Sequence, residues 1–174
     1  MSDVVLYQVE VKLGLVRHTF QPASGWRVSV DVDGMERAKG GRQPSGKVRR
    51  AARALRALED LGATIGPHSL FGRVDVVAEH DKEGLRLVEV AGESSQQKEK
   101  ELYSCLGQLL LVMKIWNDTV RYGVAVPDSR EWVRQLRKIP EVVAVRLNLD
   151  LYLVASHGVT TVGAGNTLPN WERG

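Results

Sequence analysis

Two carboxylates interrupt apolar segments near the middle of the chain. Asp75 lies within the valine-rich segment 72–78, and Glu89 lies within the similar segment 85–91. A carboxylate in such a segment is costly to bury unless it is paired or holds a cation. The polar turn at 80–84 between the segments predicts a β-hairpin. Because neighbouring strands would bring both carboxylates to one point, the pattern is typical of a site for a hard divalent metal ion.

A second group of residues is basic and contains no acidic residue. The chain carries eight Lys or Arg residues and no Asp or Glu from Arg37 to Arg56. A solvated helix face usually mixes charges, because like charges three or four residues apart repel each other. A cluster of one sign therefore favours contact with nucleic acid, with a plain solvated face as the alternative. The candidate contacts are Arg42, Lys47, Arg49, Arg50 and Arg53.

Hydrophobic periodicity indicates the elements that must position these residues. Alternating residues predict a strand over 4–20 and another over 26–32, and the turn residues between them predict an antiparallel hairpin. An apolar stripe predicts a helix over 46–61, with Ser45 as its N-cap. A second amphipathic helix is predicted over 97–116.

Further strands are predicted over 121–126 and 142–154, with a short helix between them. Helices that alternate with strands indicate a mixed β-sheet with helices on its faces, which is an α/β fold. We predict a single domain over residues 1–174, with an N-terminal β-hairpin extension over 1–36 and a loose C-terminal tail over 163–174.

Composition argues against several classes of protein. No segment approaches the roughly 20 apolar residues that span a bilayer, so we expect no membrane partner. The 174 residues contain one cysteine, Cys105, which excludes an internal disulfide framework and favours a reducing cytoplasm. The four histidines lie in separate segments without a cysteine partner, so a zinc site is not expected. The segment 41–48 resembles a phosphate-binding loop, but Val48 stands where its magnesium-binding Ser or Thr belongs.

The order and spacing of these motifs resemble the core of the PD-(D/E)XK nuclease-like superfamily, which includes many restriction endonucleases and archaeal Holliday-junction resolvases. The shared features are Asp75 in an apolar strand, a short hairpin, the Glu89-Val90 pair and a following helix that carries Gln108. The resemblance covers residues 46–154. It implies a restriction endonuclease-like fold, in which helices flank a mixed β-sheet with an αβββαβ core.

The resemblance also implies a metal-dependent reaction. Residues that match Asp75 and Glu89, together with the backbone carbonyl that matches Val90, bind Mg²⁺ or Mn²⁺ in the superfamily. The metal polarises a phosphodiester and makes a bound water more acidic. Gln108 matches a residue that lies beside the site. The implied activity is that of a DNA endonuclease, and the implied assembly is a homodimer.

Two positions depart from the pattern of the superfamily. Ala91 replaces the motif lysine, which orients or activates the attacking water. Some members supply this lysine from the following helix, and Lys98 matches that arrangement. The superfamily often has a glutamate in its first helix, where Arg49 and Arg50 stand here. The predicted catalytic set is Asp75, Glu89, Lys98 and Gln108.

Three functions remain open on the sequence. The first is a metal-dependent DNA endonuclease. The second is a catalytically inactive protein on the same fold, which would hold nucleic-acid phosphates with the basic loop and helix. The third is a structural domain that dimerises through its terminal strands. The ordinary alternative to a metal site is an ion pair of Asp75 or Glu89 with Arg73, Arg86 or the arginine-rich helix.

Overall fold

The computed structural model describes residues 5–33, 45–93 and 97–162. Its elements are, in chain order, α1 (Gln8–His18), β1 (Arg27–Val30), α2 (Ser45–Asp60), β2 (Thr64–Ile65), β3 (Val76–His80), β4 (Gly84–Val90), α3 (Lys98–Val112), β5 (Val120–Pro127), α4 (Arg130–Leu136), α5 (Glu141–Arg146), β6 (Leu149–Ala155) and β7 (Gly158–Val162). A short 3-10 helix, Pro22–Ser24, precedes β1. No helix within these ranges is both long enough and apolar enough to cross a membrane.

The strands form one mixed sheet in the order β2-β1-β3-β4-β5-β6-β7. β3 and β4 make the expected hairpin, in which Val76 pairs with Val88 and His80 pairs with Gly84. β5 and β6 continue the sheet parallel to β4, and β7 pairs with β6 in the antiparallel direction. A parallel pair needs a crossover connection, and α3 supplies the one between β4 and β5. The predicted α/β class with a mixed, helix-flanked sheet is confirmed.

Helices cover both faces of the sheet. On one face, α1 and α2 pack through residues such as Val11, Leu15 and Leu58, which are fully buried. On the other face, α3, α4 and α5 surround a core that contains Leu109 and Trp132, also fully buried. The central strands are nearly continuous apolar sequences because both of their faces are covered.

The predicted N-terminal β-hairpin is wrong. The segment predicted as a strand over 4–20 forms α1, and β1 pairs with β2 and β3 instead. Val9 and Val11 fit an alternating strand, but Lys12 and Leu15 complete the buried side of a helix. The sequence therefore contains both the alternating period of a strand and the period of a helix. Packing of the buried side against α2 and the strands β5 to β7 favours the helix.

The predicted strand over 142–154 is wrong in its first half. The helix Glu141–Arg146 occupies that part, and β6 begins only at Leu149. The β-branched valines of this segment favour a strand by propensity. The segment forms a helix instead, and Ala144 on the inner side of that helix is buried against the core. Asn148, whose φ is 52°, makes the turn between the two elements.

The helices predicted over 46–61 and 97–116 are present as α2 and α3. The predicted tail over 163–174 and the loop that contains Arg42 lie outside the described residues, as do parts of the predicted extension over 1–36.

Candidate functional site

Asp75 and Glu89 lie side by side where β3 begins and β4 ends. Asp75 is the residue directly before β3. The antiparallel register pairs Val76 with Val88, so it places Asp75 opposite Glu89. The backbone N–H of Val90 donates a hydrogen bond of 2.8 Å to Asp75 Oδ2 and so orients that carboxylate. The structure therefore brings these two predicted site residues together, and we call them the carboxylate pair.

A buried lysine from α1 reaches the carboxylate pair. Lys12 has no exposed surface, and its Nζ lies 2.6 Å from Asp75 Oδ1 and 2.6 Å from the backbone oxygen of Asp31. Burial of an unpaired ammonium costs much free energy of solvation. These two contacts offset that cost for Lys12. Gln8, on the same helix, places its amide nitrogen 3.4 Å from Asp75 Oδ2.

The first turn of α1 is fixed against the end of β4. The backbone N–H of Glu93 donates to the carbonyl of Leu6, at 2.8 Å. At Gly92, a Cβ atom would lie only 2.5 Å from the backbone nitrogen of Gln8, so the close approach of the two segments requires glycine. The strand that carries Glu89 therefore also determines where Gln8 and the rest of α1 lie.

Glu89 is 2% exposed, and burial is the main reason that its pKa rises from 4.5 to about 9. Repulsion from the Asp75 carboxylate and a hydrogen bond with it act in the same direction, whereas Lys12 acts in the opposite direction. Glu89 consequently keeps its proton at neutral pH. The two carboxylates are close enough to share that proton, as expected for a pair that cannot both ionise without a further cation.

Glu89→Gln is expected to stabilise the metal-free protein by up to about 4 kcal/mol at about pH 8, because glutamine mimics the protonated side chain at every pH. The folded state binds the Glu89 proton more tightly than the unfolded state does. The stabilising contribution of that proton is complete below pH 4.5 and is lost as the pH rises towards 9. Urea unfolding of the variant and the wild type at about pH 5 and about pH 8 measures the effect. An equal difference in free energy of unfolding at both pH values would contradict it.

The carboxylate pair lies in the wall of an open cavity of about 1150 Å³. The end of the sheet, the first turns of α1 and α2, and one side of α3 enclose this cavity. The other charged residues that line it, among those the structure describes, are Asp31, Asp33, Lys47, Arg73 and Glu101. Carboxylates outnumber the two cations in this described lining, so it would repel a phosphate from the pair unless a bound metal ion reversed the local charge.

The donor atoms of the carboxylate pair fit Mg²⁺ or Mn²⁺. Mg²⁺ is usually held by one or two carboxylates, while waters and substrate oxygens complete its octahedral shell. In the part of the chain that the structure describes, no group of three or more His, Cys, Asp or Glu side chains could hold a metal ion. A metal on the pair would therefore take its remaining ligands from water and phosphate. Binding would also displace the proton of Glu89.

Gln108 lies at the cavity, whereas Lys98 is held elsewhere. Gln108 lines the cavity together with the carboxylate pair, and its amide donates to Ser104 Oγ at 3.2 Å. Lys98 does not line the cavity. Its Nζ lies 2.9 Å from Glu93 Oε1 and 2.7 Å from Glu131 Oε2. The structure therefore does not support Lys98 as the replacement for the motif lysine, because two other carboxylates hold it.

Two of the predicted nucleic-acid contacts have partners within the protein. Lys47 lines the cavity, and its Nζ lies 5.3 Å from the centre of the Tyr7 ring. Arg50 joins α2 to α1 through hydrogen bonds of 2.7 and 2.5 Å to the Glu10 carboxylate, and its guanidinium stacks over the same Tyr7 ring. Lys47 is thus placed to meet a ligand in the cavity, while Arg50 holds two helices together.

The remaining basic residues of α2 form an exposed stripe. Arg49, Arg53 and Arg56 follow each other at i, i+4 and i+7, and all three are exposed. None of them forms an ion pair with another described residue. Arg42, the other predicted contact, lies outside the described residues. We call the three residues of α2 the arginine stripe.

The sequence patterns did not indicate Lys12 or Asp31 as components of the site, and they indicated Arg73 only as a possible ion-pair partner of the two carboxylates. Arg73 Nε lies 3.1 Å from Asp31 Oδ2 and so does not neutralise the carboxylate pair, and Arg86 donates to the backbone oxygen of Glu83 at 2.7 Å. The counterion of Asp75 is Lys12 instead. One signal was available, because residues 8–18 drawn as a helix place Lys12 on the apolar side, where lysine is rare without a partner.

A function for this protein rests on the geometry of the carboxylate pair and its cavity. Comparison of the chain with protein-family models, with curated proteins and with solved structures found no match.

Proposed function

We propose that the protein is a metal-dependent endonuclease that hydrolyses phosphodiester bonds of DNA. The observation that carries this proposal is the juxtaposition of Asp75 and Glu89 on neighbouring strands, in the wall of a cavity that also presents Lys47 and Arg73. Two carboxylates suit a hard divalent cation, and two cations at the same cavity suit the phosphate that such a cation would bind.

The order of the elements supports a restriction endonuclease-like core. α1, β1, β3, β4, α3 and β5 give the succession αβββαβ, with α2 and β2 placed between β1 and β3. β1, β3 and β4 are antiparallel neighbours, and β5 lies parallel to β4 across the α3 connection. The first helix of this succession is α1 rather than the helix over 46–61 that the sequence suggested. α1 is also the helix that carries Lys12 to the carboxylate pair.

The residues of the site have separate proposed roles. Asp75 and Glu89 would hold the metal, which when bound polarises the phosphate and lowers the pKa of a bound water. Lys47 and Arg73 would orient the phosphate from the cavity wall. Lys12 does not line the cavity, so we assign it the role of a positioning residue, which holds and neutralises Asp75 from the buried side.

DNA is the proposed substrate because of the arginine stripe. Three cations on one exposed helix face, none of them in an ion pair with a described residue, attract a regular array of phosphates and repel each other without one. Arg49 and Arg56, its two ends, are separated by about 10 Å along the helix axis. None of the three arginines lines the cavity, whereas Lys47 and Ala51 of the same helix do, so the stripe would hold nucleic acid from the side of α2 that faces away from the cavity.

Cleavage of supercoiled and branched DNA with Mg²⁺ or Mn²⁺ tests the proposal. Asp75→Asn and Glu89→Gln should each lower the rate by at least about 100-fold, because each removes a metal ligand. Glu83→Gln is the matched control, since Glu83 is exposed in the hairpin turn and does not line the cavity. Cleavage that survives in both site variants would show that another site, or a contaminant, cuts the DNA.

A catalytically inactive nucleic-acid-binding protein is the second candidate. It is favoured by Ala91, which is fully buried where the motif would have lysine, and by Lys12, which already serves as a cation for Asp75. The same assay discriminates between the candidates. Salt-sensitive DNA binding that Arg49→Ala and Arg53→Ala weaken, without cleavage under any metal condition, would establish binding as the function.

A further inference from the structure

An apolar surface centred on α5 is left exposed by the described parts of the chain. Six large apolar side chains are between 38% and 65% exposed there, and they are Tyr103, Leu110, Trp116, Val142, Val143 and Val145. Val143 shares a groove with Tyr103 and Leu110, Val145 shares a second groove with Trp116, and the three valines belong to the one short helix between these grooves. We call this the α5 surface. Scattered apolar residues on a protein surface need no explanation, but exposed apolar residues clustered around one helix are typical of a binding surface.

The α5 surface has the shape of a ridge beside a groove. Val142 and Val145, three residues apart, project from the outer side of α5 and form the ridge. The groove lies between α3 and α5, has a volume of about 200 Å³, and has an almost wholly apolar lining that includes Leu106 and Ile139. A ridge and a groove on one surface allow two copies to interlock, with the ridge of each in the groove of the other.

Charges at the two ends of α5 indicate the direction of such an interaction. Glu141 precedes the valines and Arg146 follows them, and both side chains are exposed. Neither forms an ion pair with any residue in the described ranges. When two copies of α5 run antiparallel across a two-fold axis, Glu141 of one copy lies at the same end as Arg146 of the other. The surface is therefore complementary to itself in charge as well as in shape.

We propose that the α5 surface is the interface of a homodimer in which the two α5 helices pack antiparallel about a two-fold axis. Homodimer interfaces are more apolar than other protein surfaces, and the exposed side of α5 is apolar except for its two terminal charges. The proposal does not depend on the nuclease assignment. Gln108 and Glu101, which line the cavity of the carboxylate pair, lie on a different side of α3 from Tyr103 and Leu110.

Sedimentation equilibrium measures the expected self-association directly. The wild type should sediment with twice its chain mass of 19.3 kDa at micromolar concentration, and Val145→Glu should sediment as the monomer. Val145 is half exposed in the single chain, so its replacement leaves the core intact. The Asp75→Asn variant should associate like the wild type. Dimerisation can therefore be tested independently of the proposed active site.

A charge exchange tests the antiparallel arrangement. Glu141→Arg places like charges together and should weaken dimerisation about tenfold or more, whereas Glu141→Arg combined with Arg146→Glu should restore most of the affinity. Glu83→Arg makes the same change of charge in the hairpin turn and should have no effect. Circular dichroism of each variant confirms that α5 and the remaining structure are folded.

Each contrary result would overturn the proposal. A wild type that remains monomeric at high micromolar concentration would exclude the dimer. A wild type that associates only after removal of residues 163–174 would identify that segment as the occupant of the groove. Association unchanged by Val145→Glu would place the interface elsewhere, and failure of the double charge exchange to restore affinity would exclude the antiparallel arrangement.

Discussion

Lys12→Met should lower the free energy of unfolding by about 3 kcal/mol and eliminate metal-dependent DNA cleavage. Lys12 is fully buried, and its ammonium contacts Asp75, whose side chain is 15% exposed. Methionine has nearly the same volume but no charge, so the variant leaves the Asp75 carboxylate partly buried beside Glu89 without this ammonium. Removal of one partner of a buried ion pair is strongly destabilising for this reason, even where the intact pair contributes little.

The double variant Lys12→Met with Asp75→Asn separates this cause from a simple loss of packing. Asparagine removes the uncompensated charge, so the double variant should recover most of the free energy of unfolding that Lys12→Met loses. Urea unfolding at neutral pH measures both variants, and Lys82→Met, at an exposed lysine in the hairpin turn, is the control. Equal losses in the single and double variants would show that packing of the lysine side chain, rather than its charge, stabilises α1.

Metal affinity should rise steeply with pH, by about 100-fold between about pH 6 and about pH 8 for Mn²⁺. Glu89, with a pKa of about 9, carries a proton throughout this range, and a metal ion can use both carboxylates only after that proton has left. Each pH unit below the pKa therefore weakens apparent binding by about tenfold. Affinity rises with pH because the proton and the metal ion compete for the same carboxylate oxygens. A carboxyl whose pKa is raised keeps its proton at low pH, so metal binding is weakest there.

Calorimetric titration of Mn²⁺ in buffers with different ionisation enthalpies would count the protons released. About one proton per metal ion is expected at neutral pH for the wild type. Glu89→Gln should bind more weakly at about pH 8 and lose the steep pH dependence, because it has no proton to release. Affinity that is independent of pH in the wild type would contradict a metal site on the carboxylate pair.

Two different sides of α3 border the groove of the α5 surface and the cavity of the carboxylate pair. Tyr103 and Leu110 face α5, whereas Ser104 and Gln108 face the cavity. A dimer formed through α5 would therefore leave both cavities accessible. The two proposals can fail separately, and each experiment measures a quantity that the other proposal does not change.

Local sequence was sufficient to predict the hairpin and the two longest helices. β3 and β4 are joined by a short polar turn, so the pairing that places Asp75 opposite Glu89 depends on residues close together in the chain. The apolar stripes of α2 and α3 have one clear period, and both helices formed where that period predicted them. The α/β class followed from the alternation of these elements.

Tertiary structure decided the elements for which local signals conflicted. The segment of α1 supports both an alternating and a helical period, and only packing against the sheet distinguishes them. The valines of α5 favour a strand by propensity, but the helix that they form buries Ala144 and leaves the other side uncovered. The sequence of a segment alone does not determine which surface of the folded protein the segment will pack against.

The two carboxylates could be predicted from the sequence, but their counterion could not. Asp75 and Glu89 stand out locally because each is a charge in an apolar strand. The contact between Lys12 and Asp75 joins distant parts of the chain, and it exists because Gly92 allows the first turn of α1 to lie against the end of β4. Sequence alone thus determined which groups need a partner, and only the packing of α1 on the sheet decided which partner they have, because burial of a charge is a property of the assembled fold.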